Sequence, residues 1–164
     1  MSAVTPAPGQ PWQPRPMSRR DLERVAVIES QVYPFPWSRG NFSDSLVAGY
    51  DCWVFESGAE LFAYAIVMWI PDEIHLLNLS VAASWQGKGY GGSILTWLMA
   101  DAGRRGARSI VLEVRPSNLR ARQLYERMGF TQIGMRRRYY PAADGVREDA
   151  VVMARSLPGE PRRG

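Results

Sequence analysis

The chain has 164 residues, 46% hydrophobic and 22% charged, which is the composition of one globular domain long enough to bury a sizeable core. Its formal charge of +4 is carried mostly by arginines interspersed with carboxylates, which supports a preference for anionic partners and no specific nucleic-acid stripe. One cysteine, Cys52, and one histidine, His75, exclude an intrachain disulfide and a cysteine-rich metal site, and set aside a zinc centre or a His-based triad.

Residues 1–16 hold five prolines and a single charge, Arg15, and read as an extended, partly disordered arm whose end, "QPRPM", can form an edge strand. The opening "MSAVTPAPGQPW" has neither a basic start nor an apolar core, so no secretory signal is expected. The longest apolar run, Leu61–Ile70, is about half of a membrane span. A soluble, reduced, cytoplasmic protein is the expectation.

Ser18 and Asp21 make a capping box that opens a helix over Arg19–Val32, with Leu22, Val25, Ile28 and Val32 on one stripe. "YPFPW" (Tyr33–Trp37) breaks it, because two prolines forbid helix there. Ser38 caps a short helix towards Ala48. "CWVFES", a Gly58 turn and "LFAYAIVMWI" predict an antiparallel hairpin. "IHLLNLSV" (Ile74–Val81) is apolar on both faces and reads as a central strand. Ile94, Leu95, Leu98 and Ala102 form the face of a helix that ends at Arg104, Arg105 and Gly106. "SIVLEVR" (Ser109–Arg115) alternates as a strand. "SNLRARQLYERMG" is a capped helix with Ala121, Leu124, Tyr125 and Met128 inward. "FTQIGMRRRYY" and "DAVVMARSL" close the chain as a strand pair, and residues 158–164 are a basic tail. The order β-α-α-β-β-β-α-β-α-β-β predicts an α/β fold with a mixed, mostly antiparallel central sheet flanked by helices.

Between the central strand and the third helix stands "WQGKGYGG", with four glycines in six residues. Bare backbone before a helix N-terminus directs N–H groups and the helix dipole at one point, which suits phosphate oxygens. A P-loop fails because Lys88 is followed by Gly89, and "GKGYGG" lacks the GxGxxG spacing of a dinucleotide fingerprint. A plain flexible turn remains open. The spacing Gln86-x-x-Gly89-x-Gly91 resembles the acyl-CoA pyrophosphate loop of the GNAT N-acetyltransferases, and Asn118 and Tyr125 on the next helix extend the likeness. Within that family, "FPW" (Phe35–Trp37), "LEVRPSN" (Leu112–Asn118), "LYERMGF" (Leu124–Phe130) and "RRRYYPAADGVREDAVVM" (Arg136–Met153) are most similar to the RimI-type ribosomal-protein-alanine N-acetyltransferases. The proline-rich arm is longer than that type needs, and Val146 lengthens the "DGRED" turn by one. Residues 17–157 would be the acetyltransferase domain.

The resemblance implies acetyl-CoA as co-substrate, no metal, and direct acetyl transfer to the N-terminal alanine of a small-subunit ribosomal protein. It implies Glu113 as general base and Tyr125 as the acid for the departing thiolate. Residues alone leave Glu113 open between base and ion-pair partner of an arginine such as Arg115, and Tyr125 open as a core aromatic. Acetyl-CoA would be held by Leu79, Ser80 and Val81 through their backbone, by Gln86, Gly87, Lys88, Gly89, Tyr90, Gly91 and Gly92, and by Asn118, which can equally be a helix cap. Trp37, Tyr139 and Tyr140 would face the peptide, or merely pack. An α-amine with a pKa of ~7.8 is about one-third neutral near pH 7.5 and a lysine only about 0.1%, so a single carboxylate base suits a protein N-terminus. A monomer that needs neither nucleic acid nor membrane is expected. A GNAT acting on a small amine, or a basic ribosome-binding module with a vestigial CoA loop, are the competing readings.

Overall fold

The computed structural model describes residues 12–158, so most of the proline-rich arm (1–11) and of the basic tail (159–164) lies outside the described residues. The elements are β1 (Gln13–Pro16), α1 (Leu22–Val32), α2 (Arg39–Val47), β2 (Asp51–Ser57), β3 (Glu60–Ile70), β4 (Glu73–Val81), α3 (Tyr90–Arg104), β5 (Ser109–Val114), α4 (Leu119–Arg127), β6 (Thr131–Pro141) and β7 (Arg147–Ser156). Their order is the one read from the sequence, with short 3₁₀ turns added at Arg19–Asp21, Ala83–Trp85 and Ala143–Gly145.

The strands follow one another in the order β1-β2-β3-β4-β5-β7-β6, so β4 is central as expected. The pairs β1–β2, β2–β3, β5–β7 and β6–β7 are antiparallel, and β4–β5 is parallel. The β4–β5 ladder runs from Glu73↔Ser109 to Leu76↔Leu112, and both strands continue past it. The expected α/β class with a mixed, mostly antiparallel sheet is therefore the fold.

The chain divides into two compact units, one holding residues up to Val67 and Asn78–Gly91, the other Met68–Leu77 and the chain from Gly92. In the first unit, local signals decide the elements. The Ser18 N–H donates to Asp21 Oδ2 at 2.8 Å, the expected capping box, although one 3₁₀ turn precedes the α-helix proper. Ser38 Oγ accepts from the Asn41 N–H at 3.1 Å while Asn41 Oδ1 accepts from the Ser38 N–H, so α2 opens on a reciprocal cap. Gly58 takes φ +60° in the hairpin turn, a conformation that costs a residue without Cβ little. Leu22, Val25 and Ile28 of α1 pack in one cluster with Phe42 of α2 and with Val54, Tyr64 and Ile66 of the hairpin.

In the second unit, β5 alternates: Ile110, Leu112 and Val114 are buried, while Ser109, Val111 and Glu113 occupy the other, half-exposed face. On α3, Ile94, Leu95, Leu98 and Ala102 are buried as their spacing predicts. Two readings need correction. The stripe Ala121, Leu124, Tyr125 and Met128 of α4 is only half-buried, and no α4 residue is fully buried. β4 is central but not closed on both faces, since Leu77 is 37% exposed.

Phe42 is fully buried, with its ring edge-on to Tyr64 at 5.4 Å and tilted against Trp37 at 5.2 Å. Phe42→Ala is expected to remove about 3–5 kcal/mol of stability, read from urea unfolding midpoints. A loss below about 1 kcal/mol would show that this cluster does not hold the first unit together.

Candidate functional site

The glycine stretch up to Gly91 belongs to the first unit. After β4, the 3₁₀ turn Ala83–Trp85 leads into Gln86–Gly89, and α3 begins at Tyr90. Gly87 and Gly89 take φ +78° and +86°. A Cβ at Gly89 would meet no atom within 4 Å, so glycine is required there by the backbone conformation and not by crowding. Gly91 and Gly92 are already helical, and a Cβ at Gly92 would make only ordinary contact with Leu124 Cδ1 at 3.6 Å. Two of the four glycines thus shape the loop. The Gln86 side-chain amide donates to the Val81 carbonyl at 2.9 Å and ties the loop to its strand. Trp85 stacks on Phe62 at 4.3 Å, and the Tyr90 ring meets both edge-on at 5.2 Å. The Tyr90 side chain is therefore an anchor. Lys88 is exposed at the loop tip, next to the helix end whose first N–H groups have no partner within the helix.

Beside this loop, Ser80 is buried on β4, with Oγ 2.6 Å from Asn78 Oδ1 and 3.0 Å from Tyr33 Oη. Tyr33 Oη also donates to the Leu79 carbonyl at a long 3.4 Å. The carbonyls of Leu79 and Val81 are thus engaged within the chain. Sequence reasoning missed Glu29, a carboxylate only 2% exposed on α1. Its Oε1 accepts from Tyr64 Oη at 2.7 Å and from Asn78 Nδ2 at 3.0 Å, and its Oε2 accepts from the Trp37 N–H at 2.9 Å. One signal was present: a lone acid next to Ile28, one turn after Val25, on an otherwise apolar stripe. Burial, with the Glu29 charge adding to it, pushes the Tyr64 phenol far above its ordinary range. Burial raises Tyr33 in the same way. Both stay protonated donors.

In the second unit, Glu113 stands on the half-exposed face of β5, and its Oε1 accepts from Arg136 Nη1 at 2.8 Å. The partner anticipated for it, Arg115, is committed elsewhere: it donates to the Pro141 carbonyl at 2.7 Å and to Glu148 Oε1 at 3.3 Å. Register explains the exchange: Arg115 lies just past the end of β5, whereas β7 pairs Val152 with Glu113 and Ala150 with Arg136, which brings Arg136 to the Glu113 side. Arg136 lies over the Tyr139 ring at 4.3 Å and Arg115 over the Tyr140 ring at 4.4 Å, with the two rings 4.9 Å apart. Glu113, Tyr139 and Tyr140 are thus brought into one cluster. Burial pushes the Tyr140 phenol up, and the Glu113 charge adds to that.

Asn118 is the N-cap of α4, its Oδ1 accepting from the Ala121 N–H at 3.2 Å. Tyr125 is half-buried on that helix with its ring tilted against Phe130 at 5.5 Å. Glu148 of β7 closes the loop between β5 and α4, accepting from the Ser117 N–H at 3.0 Å and from Ser117 Oγ at 2.8 Å. Among the described residues, no group of three or more His, Cys, Asp or Glu side chains could hold a metal ion, and no helix is long and apolar enough to cross a membrane.

The profile of the acetyltransferase (GNAT) family matches residues 22–130. The chain is 38% identical over 135 residues to the [ribosomal protein bS18]-alanine N-acetyltransferase of Haemophilus ducreyi, covering 82% of this chain and 93% of that protein. It is 37% identical to the protein of the same description from Escherichia coli strain K12, covering 82% and 90%. The crystal structure of the ribosomal-protein-S18-alanine N-acetyltransferase from Escherichia coli superposes with a TM-score of 0.84 at 33% identity, covering 93% of this chain and 98% of that one.

Burial alone would raise the Glu148 carboxyl, but the Ser117 hydrogen bonds and the Arg115 charge outweigh it and hold the group below its ordinary value. A depressed carboxyl adds stability that is complete above the unfolded pKa of about 4.3 and is lost as pH falls through the folded value. Glu148→Gln is therefore expected to lower Tm by about 1–4 °C at pH 7. The deficit should shrink below pH 4 in a thermal-unfolding series; a deficit independent of pH would show that charge plays no part.

Proposed function

The chain belongs to the acetyltransferase (GNAT) family, and on that premise we propose that it moves acetyl from acetyl-CoA to the N-terminal alanine of ribosomal protein bS18. The observation that carries the substrate is the likeness to bS18-alanine N-acetyltransferases over 93% of the relative's length. Acetyl-CoA suits the residues present: Gly87 and Gly89 open the backbone ahead of α3, and Lys88 supplies a cation for its pyrophosphate. Asn118 and the strand Leu79–Val81 complete the acetyl-CoA contacts in this reading. Trp37, Tyr139 and Tyr140 face the peptide. The domain that acts is residues 17–157, working as a cytoplasmic monomer.

In the reaction, Glu113 takes a proton from the α-ammonium, directly or through water. The neutral amine then bonds to the thioester carbonyl carbon, the carbon–sulfur bond breaks, and the Tyr125 phenol protonates the leaving thiolate; the second proton, released by the nitrogen as the amide forms, returns through water to the Tyr125 phenolate. A phenol pKa of ~10 lies close enough to that of a thiol, ~8.5, for this transfer. The base is available only in competition with Arg136, so a cationic amine entering the cluster must share the carboxylate. Cys52 offers no alternative as a nucleophile: it is buried, and burial with the nearby Asp51 charge pushes its thiol up to about 11.

The decisive assay incubates the protein and acetyl-CoA with peptides starting in alanine or serine, with an internal lysine, and with free spermidine, and locates the acetyl by mass spectrometry. Acetyl on the alanine α-nitrogen alone is expected; turnover of spermidine but not of the peptide would overturn the substrate. Glu113→Gln should lower kcat about 10²–10⁴-fold with acetyl-CoA binding kept, and the loss should shrink at high pH. A loss that does not change with pH would make Glu113 structural. Cys52→Ser should leave turnover in place, whereas its abolition would point to an acyl-enzyme.

A further inference from the structure

The buried network around Glu29 has no part in the acetyl-transfer steps, yet it touches two segments that the proposed function uses. One is the turn Tyr33–Trp37, whose residues Pro34, Phe35 and Pro36 are exposed. Its two ends are tied inward: the Tyr33 hydroxyl meets Ser80 Oγ at 3.0 Å, and the Trp37 N–H donates to Glu29 Oε2 at 2.9 Å. The other is Asn78–Val81 of β4, held through the Asn78 amide on Glu29 Oε1 at 3.0 Å and passed on from Asn78 to Ser80 at 2.6 Å. Each of the three hydrogen bonds to the carboxylate comes from a donor, so both oxygens act as acceptors, and no ion pair to Glu29 occurs among the described residues. A side chain that needed only to fill the core beside Val25 and Ile28 would be apolar, as they are.

We propose that Glu29 is a positioning residue for acetyl transfer, its Oε2 fixing the peptide-facing turn at Trp37 and its Oε1, through Asn78, fixing the β4 backbone that faces acetyl-CoA. The proposal rests on the proposed roles of Trp37 and Leu79–Val81. It separates two effects that a merely structural role would not. In Glu29→Gln the amide oxygen turns to the two donors, Tyr64 and Asn78, and the NH₂ is left facing the Trp37 N–H, donor against donor. The turn is released while the β4 contact is kept. Asn78→Ala does the reverse.

Steady-state kinetics with an alanine-starting peptide and acetyl-CoA tests this. Glu29→Gln should raise KM for the peptide about fivefold to tenfold with KM for acetyl-CoA nearly unchanged, and Asn78→Ala should raise KM for acetyl-CoA by a similar factor. Val25→Ala, one helical turn away in the core, should lower Tm and leave both KM values in place. If Glu29→Gln is folded and loses only Tm or active fraction, with both KM values unchanged, the positioning role is wrong. If Glu29→Gln does not fold, Asn78→Ala decides: a raised KM for acetyl-CoA supports the proposal and an unchanged one overturns it. Should the wild type leave the peptide unmodified, the substrate reading fails by itself. The acetyl-CoA Kd of Asn78→Ala, measured by calorimetry, then decides the role of the strand: weaker binding than wild type supports it and equal binding overturns it.

Discussion

A carboxylate with 2% of its surface exposed has given up the donors that water supplied, and protein groups must replace every one of them. For Glu29 the replacements come from three separate elements: the Tyr64 hydroxyl on β3, the Asn78 amide on β4 and the Trp37 N–H after the proline turn. Losing one donor to a buried charged group costs about 1–3 kcal/mol or more. The register of the β2–β3 hairpin, the length of α1 and the path of "YPFPW" are therefore coupled, because a slip in any one leaves an oxygen unsatisfied. The apolar cluster of Leu22, Val25, Ile28 and Phe42 supplies the larger free energy but would tolerate several arrangements. The hydrogen-bonded carboxylate tolerates far fewer. It converts a core that is merely stable into one with a defined turn and a defined strand.

The second unit uses the same device at its surface. Glu148 accepts from the Ser117 N–H and hydroxyl and from Arg115, so the short "RPSN" loop between β5 and α4 is bound to β7 at two successive anchors. Asn118 then caps α4, and the helix that carries Tyr125 starts at a set position. No residue of α4 is fully buried, so packing alone would leave it loosely held. The polar loop makes up for that thin apolar contact. It also explains why "RPSN" and "RED" lie so far apart in the chain and belong to one arrangement.

Much of this was legible in the residues. Capping pairs, proline breaks and strand alternation placed every main element, because each is a local effect that acts within a few residues. The glycine stretch was also legible, though only Gly87 and Gly89 prove to need their freedom of backbone. What escaped was non-local. Glu29 sits on the inward stripe of α1, and nothing within ten residues of it shows that Tyr64 and Asn78 wait on two later strands. The partner of Glu113 escaped for a related reason. Arg115 is its neighbour in the chain, but Arg136 is its neighbour in space, and which arginine arrives depends on how β6 is bent.

That bend has a physical account. Between the pairs Arg136↔Ala150 and Tyr140↔Glu148, β6 advances four residues while β7 advances two, so two extra residues are accommodated in β6. Arg138 absorbs them at φ +51°, a conformation that L residues adopt only at a cost of roughly 1 kcal/mol or more. Its N–H is not left unpaired; it donates to Asp149 Oδ1 at 2.8 Å. A regular strand would carry Arg136 and Tyr140 to one face and Tyr139 to the other by simple parity. The bulge breaks that parity and sets Arg136 over Tyr139 while its guanidinium reaches Glu113, with Tyr140 left to stack under Arg115. The long stretch "RRRYYPAADGVRED" therefore carries a structural task before any contact with a peptide. Its arginines, tyrosines and acids hold a strained strand in the one shape that surrounds Glu113 with aromatic rings and a competing cation.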